Sequence, residues 1–182
     1  MNNATKNLED DHIYILKLID VMETMTGSTE PVVFDLEEAV DLIKNFADGL
    51  HHAKEESLLF PLLAERGFST QQGPVAVMLH EHSQGRNYVK GMSENIRLLK
   101  EGDLSSLNMI YKNMLGYGEL LRNHIAKENN MLFKMADNAL SGKDQQSLFN
   151  QFEQLENPGL PNSKKNDFIA RIEKLVQVYN PS

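Results

Sequence analysis

The chain of 182 residues contains no cysteine. That removes disulfides, zinc–thiolate sites, iron–sulfur ligation and thiol catalysis from its own chemistry. Positive charge is also in short supply: 18 Lys+Arg stand against 26 Asp+Glu, for a net charge of −8 and a sequence pI near 5.2. Nucleic-acid grooves and anionic membranes select for clustered cations, so neither is an expected partner. No apolar run approaches the ~18 residues of a membrane span, and the N-terminus lacks the charged-then-apolar pattern of a secretory signal. A cytoplasmic protein is expected. No segment alternates long enough to read as a strand.

Helical periodicity fills the space those absences leave. Leu8, Ile15, Leu16, Ile19 and Met22 recur three or four apart and predict a first helix over Asn7–Met25. A second is expected from Asp35 to Arg66, with Asp35 and Glu38 spaced as a capping box and Gly67 as its left-handed terminator. Pro61 lies inside it and should bend the last turn. Gly73-Pro74 opens a third that stops at Gly102, and a fourth runs from Ser105 to Asn138. The expected architecture is all-α, an up-down-up-down four-helix bundle over about 7–138. Two additional C-terminal helices over about 143–179 follow, split by Asn157-Pro158-Gly159-Leu160-Pro161 and packed as an appendage within a single 1–182 domain.

An internal repeat marks the site. His51-His52-Ala53-Lys54-Glu55-Glu56-Ser57-Leu58-Leu59-Phe60 aligns with His124-Ile125-Ala126-Lys127-Glu128-Asn129-Asn130-Met131-Leu132-Phe133 on the second and fourth helices. The first and third helices each carry an acid followed by a histidine, Asp11-His12 and Glu81-His82. His12 precedes His51 by 39 residues and His82 precedes His124 by 42, so the chain reads as two similar hairpins. Residues four apart share one helix face about 6 Å apart along the axis, so a histidine can bind one metal while the glutamate one turn on reaches a second. A carboxylate can bridge two ions ~3.5–4 Å apart. A lone His-x-x-x-Glu is usually a solvated pair; hits on four helices at once are not explained that way. The repeat selects Glu55, aligned with Glu128, over Glu56. Imidazole and carboxylate without sulfur suit iron or manganese rather than copper(I) or thiolate zinc.

These residues carry a resemblance. Asp11-His12, His51-x-x-x-Glu55-Glu56-x-x-Leu59-Phe60-Pro61, Glu81-His82-x-x-Gly85-Arg86 and His124-x-x-x-Glu128-Asn129-Asn130-x-Leu132-Phe133 resemble the hemerythrin-like family of HHE cation-binding proteins. The resemblance implies a bundle around a non-haem di-iron centre, oxo- or hydroxo-bridged, with His12, His51, Glu55, His82, His124 and Glu128 as ligands. Oxygen-carrying members place two ligand histidines four apart on the third helix. Here Met78 and Arg86 flank His82 at that distance. The implied site is therefore nearly symmetric, with two histidines per iron and open positions on both. That is similar to bacterial iron-centre proteins of nitrosative stress and iron–sulfur cluster repair, in a stand-alone form without their cysteine-bearing N-terminal domain.

Two functions follow from one site. The first is binding of, or reaction with, oxygen, nitric oxide or peroxide. The second is an iron reservoir or redox sensor that passes iron or a signal to a protein partner. Around the site, His52 and Glu56 are expected to be exposed or to touch only the ligands, and His80 to face away. Asp11 can orient an imidazole, Arg86 can pair with a nearby carboxylate, and Tyr117 shares the face of His124.

Overall fold

The computed structural model describes residues 3–157 and 164–180, and every regular element among them is helical. The helices are α1 (Ala4–Met25), α2 (residues 33–65), α3 (Pro74–Lys100), α4 (residues 106–139), α5 (Gly142–Glu156) and α6 (Lys164–Tyr179). Pro158-Gly159-Leu160-Pro161, the expected break between the last two, lies outside the described residues.

Two apolar cores sit on either side of a polar layer, and their order along each helix gives the topology. On α1, Leu8 belongs to one core, Asp11 and His12 to the layer, and Ile15–Met25 to the other core. On α2 the order is reversed: Leu36–Leu50, then His51–Glu55, then Leu59–Leu63. The same alternation recurs on α3 and α4, around His82 and around His124 and Glu128. The four helices therefore run up, down, up and down, with the histidines at mid-height. No helix is long and apolar enough to cross a membrane.

The C-terminal helices complete both cores. Phe168, Ile172 and Leu175 of α6 join the core that holds Phe46, and Leu148 and Phe152 of α5 join the one that holds Phe60. Ser141 and Asp144 form a capping box at the start of α5.

Several boundaries depart from the sequence reading. Asn3 caps α1, accepting from the Thr5 N–H, so the helix begins at Ala4 rather than Asn7. Helix α2 begins at Val33 with no side-chain cap, so the Asp35–Glu38 capping box does not form. Both carboxylates are committed to α6 instead: Asp35 accepts from the Tyr179 hydroxyl at 2.7 Å, and Glu38 pairs with Arg171. Gly67 holds the positive φ expected of it, +93°, and Gly73 and Gly102 at the other helix boundaries hold +78° and +99°.

The largest departure is in winding. Ile43–His52 and Glu55–Leu59 of α2, and Glu128–Leu132 of α4, are π-helical. Such wide turns recur at functional sites. Pro61 falls in the first turn of the α stretch Phe60–Glu65, directly after a π stretch. The change of hydrogen-bond pattern thus falls where its missing N–H would otherwise interrupt the ladder.

Candidate metal centre

The polar layer brings together all six residues singled out by the repeat. His12 Nε2 and His51 Nε2 lie 3.0 Å apart, and His82 Nε2 and His124 Nε2 3.1 Å apart. Two donors ~2.1 Å from one ion at right angles are separated by ~3.0 Å, the spacing each pair adopts. Both carboxylates lie between the pairs. Glu55 directs Oε1 to His51 Nε2 at 3.7 Å and Oε2 to His82 Nε2 at 3.4 Å. Glu128 directs Oε2 to His12 Nε2 at 3.2 Å and Oε1 to His124 Nε2 at 3.3 Å. All four oxygens are buried without a hydrogen-bond partner. Carboxylates are rarely buried unless paired or bound to metal, so this donor set fits bound cations, which these histidines and glutamates would hold.

The outward ring nitrogens are held by a second set of side chains that follows the same repeat. Asp11 and Glu81 do not hold the histidines they precede. Asp11 accepts from His51 Nδ1 at 3.3 Å, and Glu81 from His124 Nδ1 at 3.0 Å. Asn129 faces His12 Nδ1 at 2.8 Å and Glu56 faces His82 Nδ1 at 2.7 Å; each follows a bridging glutamate. Lys54 and Lys127, also matched in the repeat, hold Asp11 and Glu81. Phe133 stacks on His12 and Phe60 on His82, with centroids 5.6 and 6.0 Å apart. Fixing Nδ1–H in this way presents the Nε2 lone pair to the centre.

Burial and mutual charge set the proton inventory. Glu128 is held at about 2: burial pushes its pKa up, but His124 and His12 outweigh that. His82 rises to about 9: burial opposes the rise, but the adjacent Glu55 and Glu56 carboxylates outweigh it, and His12 rises beside Glu128 in the same way. Burial lowers His51. The raised His82 and His12 favour the protonated ring in the absence of a cation, and a bound metal would compete with those protons.

His52 is buried against a ligand histidine, the second of its two expected places. It is 3% exposed and stacks on His82 with centroids 3.7 Å apart. Burial, then the neighbouring His82 charge, pushes its pKa down to about 3. The signal was legible as a second adjacent histidine, but 3.6-residue winding turns it away from the His51 face. His80 is exposed, as expected. Arg86 pairs with Asp48 and Glu56 at 2.8 and 2.7 Å. A pocket of about 350 Å³ runs between α2 and α3, past Arg86 and Tyr117, to the rings of His52 and His82.

Fold and donor set define the class: a helical bundle enclosing buried clusters of nitrogen and oxygen donors able to hold metal. The family described as hemerythrin HHE cation binding domain matches residues 3–136, and the chain belongs to that family. It is 36% identical over 90 residues to an iron-sulfur cluster repair protein YtfE of Yersinia pestis, and 32% over 88 residues to one of Pectobacterium atrosepticum. Each match covers 47% of this chain and 40% of the relative, so the chain spans well under half the length of these relatives. No solved structure gives a significant match.

Proposed function

We propose that the chain is a di-iron protein whose carboxylate-bridged site binds or reacts with oxygen, nitric oxide or peroxide. The ligands in this reading are His12, His51, Glu55, His82, His124 and Glu128. The observation that carries it is the set of four unpartnered oxygens on Glu55 and Glu128, each directed at a different histidine. Neutral imidazoles and carboxylates suit iron, and the lack of cysteine removes thiolate alternatives. Two ferrous ions bring four positive charges against two negative ones, and the surplus favours small anionic or polarisable ligands. Bound iron supplies redox chemistry toward such molecules.

The chain's residues supply the rest. Glu55 and Glu128, each facing both histidine pairs, would hold the ions, and the Nδ1 partners fix the rings. The two apolar cores keep bulk water from the layer, while the pocket past Tyr117 gives a small molecule a route inward.

A second reading, an iron reservoir or redox sensor serving a protein partner, draws on the iron-sulfur cluster repair for which the YtfE relatives are named. In that reading cluster thiolates belong to the partner, because this chain has none. Metal analysis with optical spectroscopy on aerobically purified, iron-replete protein tests the common core. Two irons per chain are expected; one tightly bound metal, or zinc alone, overturns it. Turnover of peroxide or nitric oxide then favours the first reading, and iron transfer to an apo-acceptor without turnover the second.

A further inference from the structure

We propose that, of the two irons in the reading above, the one held by His82 and His124 gives up its electron first. Glu56 and its repeat counterpart Asn129 are the residues that set this order. The order presupposes the di-iron reading, since it ranks that reading's two ions.

The side chains facing the centre are matched: two histidines on each side, with Glu55 and Glu128 directed at both pairs. The partners behind the rings are not. His82 Nδ1 faces Glu56 Oε1 at 2.7 Å and His124 Nδ1 faces Glu81 Oε2 at 3.0 Å, so both of these imidazoles meet a carboxylate. On the other side, His12 Nδ1 faces the neutral amide of Asn129 at 2.8 Å. Only His51 meets a carboxylate there, Asp11 Oδ2, at the longer distance of 3.3 Å. The same Asp11 oxygen takes Lys54 Nζ at 2.8 Å, and Lys165 holds the second oxygen at 2.6 Å. The Asp11 charge is thus spent on two ammonium groups inside the protein.

The wider charge distribution divides in the same way. Asp48, Glu56 and Glu81 flank the half at His82 and are answered by Arg86 and Lys127, whose side chains are 42% and 38% exposed. Asp11 and Glu156 flank the half at His12 and are answered by Lys54 and Lys165, 0% and 13% exposed. Water screens the first two cations far more than the second two. The half at His82 keeps a surplus of negative charge, and the half at His12 is balanced.

A carboxylate behind a ligand imidazole raises its basicity, and a more basic ligand favours the higher oxidation state. Passing one electron to a one-electron oxidant adds one positive charge to the ion and breaks no bond. That charge is best accommodated where negative charge is in surplus. The pocket that ends at His52 and His82 opens on the same half, so the electron is offered where a small molecule arrives.

The test is anaerobic potentiometric titration of ⁵⁷Fe(II)-loaded protein with ferricyanide, the Fe(II)Fe(III) state being counted by EPR and Mössbauer spectroscopy. Wild type is expected to pass through a mixed-valent state above its statistical share. Glu56→Gln keeps an acceptor for His82 but removes its charge, and should raise the first potential. Asn129→Asp adds charge behind His12 and should lower the second. Each change should lower the comproportionation constant about tenfold, a narrowing of about 59 mV. Arg86→Gln frees the Glu56 charge, so it should lower the first potential and widen the gap. Glu101→Gln, in an exposed pair with Arg97, should move neither potential. A merely structural role would not produce narrowing and widening in this pattern. The opposite sign, or no change, in Glu56→Gln, Asn129→Asp or Arg86→Gln overturns the proposed order while leaving the di-iron reading intact. So does a wild type whose mixed-valent state never exceeds its statistical share. Failure of the wild type to bind two irons overturns both. Where a variant loses an iron, the sign in the others decides, and Arg86 sits at the surface, paired with Asp48 and Glu56 rather than with a ligand.

Discussion

The two halves of the centre are built from matched residues and placed in different surroundings. Around His12 and His51, the supporting ion pair is Asp11 with Lys54, and neither side chain is exposed at all. Around His82 and His124, the matched pair is Glu81 with Lys127, whose side chains are 12% and 38% exposed. Asn129 on the first side is neutral, whereas its counterpart Glu56 is charged and further held by Arg86. The difference comes from what lies outside the bundle. Helices α5 and α6 cover the first half, bringing Glu156 and Lys165 onto Lys54 and Asp11. The pocket opens on the second. The matched hairpins thus give one sealed histidine pair and one facing a solvent route.

The most severe test of the matched core is to remove a bridge. Glu55→Ala or Glu128→Ala should release both metals together, because each carboxylate faces both histidine pairs. Glu56→Ala should retain two irons, since Glu56 touches only His82 Nδ1 and Arg86. Metal content after gel filtration reads the outcome. Loss of one iron only from a bridge variant would show that the carboxylates act singly.

The matched lysines should differ in stability. Lys54→Met leaves Asp11 and Glu156 buried with Lys165 as their one remaining cationic side chain among the described residues, a change that costs about 3 kcal/mol where a buried charge loses its partner. Lys127→Met removes a partly solvated partner and should cost about 0–1 kcal/mol. Urea unfolding of metal-free protein separates them, and equal losses would mean that the sealed half is not energetically distinct.

The pH response of the metal-free chain should show the stacked pair His52 and His82 acting in opposite directions. His82 is raised to about 9, so the stability it lends is complete below its ordinary 6.5 and is lost as pH climbs through about 9. His52 is lowered to about 3, so its contribution is present above 6.5 and is lost as pH falls toward about 3. Metal-free protein should therefore melt highest near pH 6.5. Iron displaces the His82 proton, so the gain in melting temperature on loading should grow from pH 6.5 to 9 and shrink below 6.5. A gain independent of pH would show that loading displaces no proton.

Much of this was legible in the sequence. Histidine spacing, the repeated glutamates and the glycine terminators identify the bundle, its polar layer and the six convergent residues. Each signal is local or periodic, and periodicity survives folding when a residue faces the core. The missed parts depend on partners distant in sequence or on winding. Asp35 and Glu38 have capping spacing but are taken by Tyr179 and Arg171. Asp11 and Glu81 hold the histidine across the hairpin rather than the adjacent one. His52 cannot be placed by a 3.6-residue wheel because its turn is not α-helical. The Ser141–Asp144 capping box, by contrast, is local and has the spacing of one.

That wide turn offers the mildest test of the comparison. The repeat aligns Gly49 with Arg122, which lies in regular α-helix. A Cβ on Gly49 would meet the Lys44 carbonyl oxygen, five residues back, at 3.0 Å. In an ordinary exposed helix, glycine to alanine gains about 1 kcal/mol through propensity. Here the contact is with backbone and cannot be relieved by a rotamer, so the wide turn itself must move. Gly49→Ala should therefore forfeit that gain and lower stability by about 0.5 kcal/mol. His51 and Glu55 lie beyond the glycine and retain their partners on other helices, so two irons should still bind. The change should appear in the environment of the iron near His82 and His124, since the turn carries His52 there. A full gain of about 1 kcal/mol with an unaltered iron spectrum would mean that the wide turn tolerates a side chain at residue 49. The placing of His52 where the repeat has Ile125 would then not depend on the winding.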